Sequence, residues 1–355
     1  MKYVSLPLLL PVLFLSTCSL LILSSIGGRP FLFQSIWIMV GCGFLVVFSF
    51  FNWRPFMNYQ WFVGGIYAMA VLLLIVTYFL APTIRGVRAW IVFGSFFIQT
   101  SEFMKAGLIF VFAYFFGKYH FSIGQVRTIF FSFLLVALPI GLVLIQPDLG
   151  SAIVLGGLWF SLLVLSGLRL RHFLTFIAIF LLVGFLSWNY FLASYQKERI
   201  IGVFNPTHDQ LGVNYNLIQS KIAIGSAGLW GKGYGQGTQT QLGFLPQANA
   251  DFVLAAFIEE WGVVGGFLVI AAFLYLIFTI LKIGILAEAN FEKFICLGTA
   301  TVMSFHFVIN TASVIGFFPV VGIPFPFLSY GGSSLLTNFF LLSIVYSIDR
   351  HRYQF

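Results

Sequence analysis

Residues 251–281 read DFVLAAFIEEWGVVGGFLVIAAFLYLIFTIL, and no charged residue follows Glu260 until Lys282. A helix rises about 1.5 Å per residue, so an uncharged apolar run of this length can cross a hydrocarbon layer roughly 30 Å thick. The stretch has many counterparts. Of 355 residues, 60% are hydrophobic and 8% charged, where a soluble chain carries roughly a quarter charged. No water-facing surface can be built from that composition. Soluble enzymes, disordered regulators and nucleic-acid binders are excluded. The net charge of +8 reads as basic cytoplasmic loops plus an anionic substrate, with no nucleic acid involved. Cys18, Cys42 and Cys296 lie inside apolar runs without metal-ligand spacing, so they indicate neither a disulfide framework nor a zinc site.

Outward from 251–281, the same window reading gives ten expected crossings: 5–26, 31–51, 60–81, 102–117, 127–145, 149–168, 173–193, 251–281, 294–317 and 333–349. The expected fold is an all-α polytopic membrane protein, a single integral membrane domain over 1–355. An even count puts both termini on one side. The short loops on that side hold Arg54, Lys118, Arg127, Arg169, Arg171, Lys282 and Lys293, with Arg350 and Arg352 in the tail, against Arg29, Arg85 and Arg88 opposite. The positive-inside rule then gives N-in, C-in.

Three outer segments interrupt this frame. Segment 82–101 is apolar but broken, and reads as an amphipathic piece at the interface. Segment 194–250, between helices 7 and 8, is the long polar loop. Segment 318–334 (FPVVGIPFPFLSYGGSS) is dense in Pro, Gly and Ser, and reads as a re-entrant or tightly folded loop lining a cavity.

Ten acidic residues can be audited one by one. Asp148, in IQPDLGSA, precedes a helical run and reads first as an N-cap. Glu102 and Lys105, three apart in TSEFMK, form either a structural ion pair or a supporting part of a site. Glu259 and Glu260 are adjacent, so a helix points them about 100° apart, and at least one is expected to pair with a basic residue elsewhere. Asp251 stands where the polar loop becomes an apolar helix. Capping and general-base catalysis are equally compatible with its position. The outer cations Arg85, Arg88, Lys105, Lys197, Arg199, Lys221 and Lys232 suit a phosphate or pyrophosphate headgroup, or anionic lipid in general. The run GSAGLWGKGYGQG (225–237) is no Walker A loop. Ser226 stands where its first Gly belongs, and Gly233 follows Lys232. The five histidines show no paired spacing and read as loop or packed residues.

Taken in order, IRGVRAWIVFGSFFIQTSEFMKAG, LIQPDLGSA, YQKERIIGVFNP, the segment from YNLIQSK through GKGYGQGTQTQLGFLPQANADFVLAAFIEEWG, and VVGIPFPFLSYGGSS resemble the SEDS proteins of shape, elongation, division and sporulation. GTQTQLGFLP looks more like the RodA branch than the FtsW branch. The resemblance implies a peptidoglycan glycosyltransferase of the bacterial cytoplasmic membrane. It would polymerise lipid II at the outer face during cell-wall elongation, with a class B penicillin-binding protein as partner. The family's proposed catalytic aspartate falls on Asp251. Its glutamate and lysine fall on Glu102 and Lys105, its arginine on Arg199 and its GKG lysine on Lys232, while Lys221 and Arg88 join the expected pyrophosphate contacts. Three departures stand out. Thr100 replaces a proline, Ala89 separates Arg88 from Trp90, and Gln247 with Asn249-Ala250 replaces the usual Glu and His-Thr. A divalent cation such as Mg2+ or Mn2+ is the one candidate cofactor. The rival reading is a flippase for the same lipid-linked precursor, which would keep polar residues through the bilayer midplane.

Overall fold

The computed structural model describes residues 5–351 apart from 52, 58, 85, 95, 121–122, 206–208, 210–211 and 213. Arg85 and Arg352 lie outside the described residues. Each expected crossing falls on a helix: α1 (Leu6–Ile26), α2 (Arg29–Ser49), α4 (Gln60–Leu80), α5 (Thr100–Tyr119), α6 (Val126–Ile145), α7 (Leu149–Leu165), α8 (Leu170–Leu186) with a π-helical turn at Ser187–Phe191, α12 (Val253–Leu286), α13 (Asn290–Ile315) and α14 (Gly332–His351). The short helix α3 (Arg54–Met57) joins α2 to α4, while α9 (Ser194–Phe204), α10 (Tyr215–Ser226) and α11 (Thr238–Gln241) structure the long loop.

Seven of these helices, namely α1, α2, α4, α6, α8 with its π turn, α12 and α13, are long and apolar enough to cross a membrane. Three of the ten expected crossings fall short of that measure. α7 is apolar but has 17 residues. α5 and α14 have 20 residues each and carry polar side chains, and burial explains why. α5 buries Glu102 and Lys105, and α14 buries Thr337 and Asn338, because both helices face protein. α8, apolar beyond its first turn except for Thr175, buries no residue and leans on α7 through Phe160, whose ring meets Phe173, Phe176 and Phe180 at 5.4–5.9 Å. Burial of polar side chains thus keeps two central helices below the apolar measure.

Segment 82–101 departs from an all-α chain. Trp90–Phe93 (β1) and Phe96–Gln99 (β2) form an antiparallel ribbon, pairing Trp90 with Gln99 and Phe93 with Phe96. The aromatic and β-branched residues that resembled an amphipathic interfacial piece also favour strand pairing. Ser333 Oγ, at the start of α14, accepts from the Gln99 N–H at 2.9 Å, and Phe96 packs edge-on against Phe33 and Trp37 of α2.

The opening stretch, 251–281, is not one rod. Gly262 (φ 75°, ψ 178°) interrupts α12. A Cβ on Gly266 would lie 2.5 Å from Ile258, and one on Gly265 would lie 3.4 Å from Phe257. Residues eight apart on a straight helix are separated by about 12 Å, so the chain folds back at Gly262. A short arm, Val253–Trp261, runs against the long arm, Val263–Leu286. The glycine-rich loop plugs the crest between them. Lys232 N–H and Gly233 N–H donate to the carbonyls of Glu259 and Glu260 at 2.9 and 3.0 Å. Val263 and Val264 N–H donate to Gly228 and Leu229 carbonyls at 3.1 and 3.2 Å. Non-helical backbone survives in such a place only when its polar groups are satisfied. Gly231 (φ 81°) is needed at this plug, since a Cβ there would meet the Glu260 carbonyl at 2.2 Å.

Candidate active site

Register between helices gives the depth of Asp251. The long arm of α12 runs antiparallel to α13, with Phe273 stacked on Phe307 (centroids 4.7 Å) and Gly284 against Cys296. By that register Asn310 is level with Ile270, which lies about 12 Å along the helix from the crest at Gly262. Asn310 Nδ2 donates to the Asp251 carbonyl at 2.9 Å. Asp251 therefore sits at the deep end of the short arm, on the floor of a re-entrant hairpin, and not at the rim where a single crossing would begin.

The loop between α13 and α14 forms the other half of this floor. It descends along α13 on three polar side chains spaced i, i+4, i+7 in reverse: Ser313 Oγ to the Pro319 carbonyl (3.1 Å), Asn310 Nδ2 to the Ile323 carbonyl (2.9 Å), and His306 Nδ1 to the Pro324 carbonyl (3.3 Å). At the bottom, Tyr330 N–H donates to the Asn249 carbonyl (2.9 Å) and Ser329 Oγ to the Ala250 carbonyl (2.7 Å). The buried Gln34 of α2 supports the Ser329 carbonyl at 3.1 Å. Of the two alternatives expected for 318–334, re-entrant or tightly folded, the hydrogen bonds show a tightly folded loop laid along α13. The family departures around Asp251 also become intelligible. Gln247 (φ 55°) turns the chain by accepting from Ala250 and Phe252 N–H through its backbone carbonyl, while Asn249 and Ala250 contribute carbonyls. Side chains there can change without removing these bonds.

Beside the floor lies a buried polar cluster. Lys105 Nζ is 2.7 Å from Glu102 Oε1 and 2.8 Å from His306 Nε2, with each of the three side chains at most 4% exposed. The ion-pair reading of Glu102 and Lys105 holds, and His306 completes it. Thr100, in place of the family's proline, is the first residue of α5, where proline is well tolerated. Its hydroxyl accepts instead from Thr77 of α4 at 2.9 Å.

The remaining expected site residues divide by environment. Asp148 caps α7, accepting from Ser151 N–H at 3.0 Å and Ser151 Oγ at 2.7 Å. Lys232 is drawn into the plug. Its ammonium lies 2.8 Å from Glu259, a fully buried carboxylate that also accepts from Gln239 N–H, Thr240 N–H and Thr240 Oγ1. Glu260 accepts from Ser25 and Gln241, which ties the crest to α1. Arg88 is exposed, donating to Thr83 Oγ1 at 3.0 Å, with Ala89 buried beside it. Arg199 is exposed, donates to the Val320 carbonyl at 2.9 Å, and lines a cavity with Asn214, Asn216, Phe318 and Pro319. Lys221 is exposed, its end lying over Gly316. Among the described residues no three His, Cys, Asp or Glu side chains converge. The described residues thus supply no ready-made cage for Mg2+ or Mn2+. Asn310, Ser329, Gln34 and His306 escaped the sequence reading as site residues. The polar spacing 306, 310, 313 on an otherwise apolar run was the signal that could have found three partners of the loop.

These features define a polytopic helical membrane protein with a re-entrant, polar-floored site on the face that carries its long loops. The family model described as "Cell cycle protein", covering FtsW, RodA and SpoVE, matches residues 1–354. The peptidoglycan glycosyltransferase MrdB of Escherichia coli (strain K12) is 34% identical over 83% of this chain and 79% of its own. The probable peptidoglycan glycosyltransferase FtsW of Trichlorobacter lovleyi is 35% identical over 89% and 82%. A chain from a structure of a peptidoglycan synthase complex, solved for its coordination of polymerization and crosslinking, superimposes with a TM-score of 0.85 at 28% identity, covering all of both chains. The chain belongs to the SEDS family of peptidoglycan glycosyltransferases, and is a multi-pass protein of the bacterial cytoplasmic membrane. Identity to the RodA-type and FtsW-type relatives is nearly equal.

Proposed function

We propose that this chain polymerises lipid II into β-1,4 glycan strands at the external face of the membrane, with Asp251 as the general base. The observation that carries the reading is the placement of Asp251. Asn310 fixes its peptide on the floor of the re-entrant hairpin and the folded loop paired with it, beside a buried ammonium and below exposed cations. A carboxylate carried on a peptide held in this way is placed beforehand to accept a proton. The 4-hydroxyl of the acceptor GlcNAc attacks the donor anomeric carbon as its proton passes to Asp251. The bond from that carbon to the pyrophosphate oxygen breaks, and the undecaprenyl pyrophosphate leaves with the electron pair. Displacement from the opposite face inverts the centre. Arg88, Arg199 and Lys221, exposed on the loop face, meet the leaving phosphates. Lys105, held in its ion pair with Glu102, supports the floor from beneath.

The topology follows the ten-helix reading, N-in and C-in, with α5, α7 and α14 crossing although they fall outside the apolar-length measure. A class B penicillin-binding protein is the expected partner, as the likeness to a synthase-complex chain supports. Cell elongation is the expected role, resting on the RodA-like GTQTQLGFLP segment.

Purified protein with its partner, given labelled lipid II, should produce glycan strands, and Asp251→Asn should fold but make none. Strand synthesis at wild-type rate by that variant would remove Asp251 from the chemistry. Lipid II translocation without strand synthesis by the wild type would establish the flippase instead.

A further inference from the structure

His306 is a buried titratable group that the proposed chemistry leaves unused. Its two ring nitrogens have defined partners. An ammonium only donates, so Nε2, 2.8 Å from Lys105 Nζ, must accept. Nδ1 then carries the proton and donates to the Pro324 carbonyl. The imidazole is neutral and locked in one tautomer by an α5 cation on one side and the folded loop on the other. One helical turn along the same face of α13, Asn310 clamps the Asp251 and Ile323 carbonyls.

We propose that His306 is a positioning residue for glycosyl transfer. It joins the Lys105 ammonium, the descending loop and, through α13, the Asp251 peptide into one rigid unit. A carboxylate at 306, added to Glu102, would leave the buried cluster with a net negative charge. A neutral acceptor satisfies a second ammonium N–H and keeps the buried Glu102–Lys105 pair balanced. Deleting the ring acceptor strands a buried ammonium N–H and releases the Pro324 carbonyl together. The reacting groups then lose alignment in the transition state more than in the ground state. The inference rests on the polymerase reading, so the test contains one arm independent of it.

That arm is 15N NMR of histidine-labelled protein, with His306 assigned by its loss in His306→Gln. The Nδ1–H tautomer is expected, with Nε2 bare. An Nε2–H tautomer or an imidazolium would overturn the arrangement whatever the enzyme does. The kinetic arm compares His306→Leu with His306→Gln in the complex with its partner. Glutamine can accept from Lys105 and donate to Pro324, so it should keep kcat within about threefold of wild type. Leucine should lower kcat by roughly 100-fold with KM little changed. Each variant is first checked for wild-type elution and unfolding temperature. Should His306→Leu fold poorly, His306→Phe provides the same deletion with more ring volume. Equal activity of the Gln and folded apolar variants would refute a positioning role. Loss confined to KM would refute the alignment mechanism. Failure of wild-type polymerisation, with the tautomer as expected, would sink the function and leave the local arrangement standing.

Discussion

At the residue scale, Lys232 separates two kinds of cation. By sequence it joins a set of outer charges suited to pyrophosphate. In the fold its ammonium is committed to Glu259 and Thr238 Oγ1, and its N–H closes the helix break at the crest. A partner of a fully buried carboxylate is a structural element first, because removing it leaves an uncompensated charge. Lys232→Met should therefore lower stability by about 3 kcal/mol, the low end for a broken buried pair, since Lys232 itself keeps some contact with water. KM for lipid II in the surviving folded protein should change little. Thermal unfolding together with initial rates checks both, and a large rise in KM at unchanged unfolding temperature would restore Lys232 to the substrate. Asp148 was legible because capping is local: Pro147-Asp148 before a helical run contains nearly all the information. Lys232 was not, because its partner lies 27 residues away and only the fold brings them together.

At the element scale, the re-entrant hairpin was the main feature hidden in the sequence. Residues 251–281 have the length and apolarity of one crossing, and hydropathy contains no term for direction. The glycines were visible, yet their use depended on the loop that plugs the break. Two glycines in that region make opposite predictions. Gly262 has φ 75°, and a Cβ there would lie 2.1 Å from the Leu229 carbonyl. Gly262→Ala therefore combines backbone strain with a clash against main chain that cannot rotate away, and should cost more than about 3 kcal/mol. Gly235 has φ 70° but open space around it, so Gly235→Ala should cost only the left-handed conformation, about 1 kcal/mol. Fluorescence-detected size exclusion after graded heating ranks them. Equal tolerance of the two substitutions would mean that the crest is not the tight joint described above. The β1–β2 ribbon escaped for a related reason. Its anchor at Ser333 joins segments far apart in sequence, while its composition fits either structure.

Across the whole molecule, the sequence located every long helix, but length and apolarity together pass over two of the buried ones. The seven that satisfy length and apolarity include α8, which buries nothing, and exclude α5 and α14, which hold the centre. Counting only the seven would leave the two termini on opposite sides of the membrane. Counting ten returns them to the same side, and the basic residues then choose the cytoplasm. The two counts can be separated directly. A green fluorescent protein fused after Phe355 should fluoresce, since it folds only in the cytoplasm, and one fused before Met1 should do the same. In a background with Cys18, Cys42 and Cys296 replaced by serine, Trp230→Cys samples the plug loop, where Trp230 is 79% exposed. Ala289→Cys samples the opposite turn, between α12 and α13. A membrane-impermeant maleimide added to spheroplasts should modify residue 230 and reach 289 only after lysis. Labelling at 289 alone would place the floor of the hairpin, and Asp251 with it, on the cytoplasmic side. Lipid II polymerisation at the external face would then be impossible for this chain, so the labelling pattern tests the topology and the proposed chemistry in the same measurement.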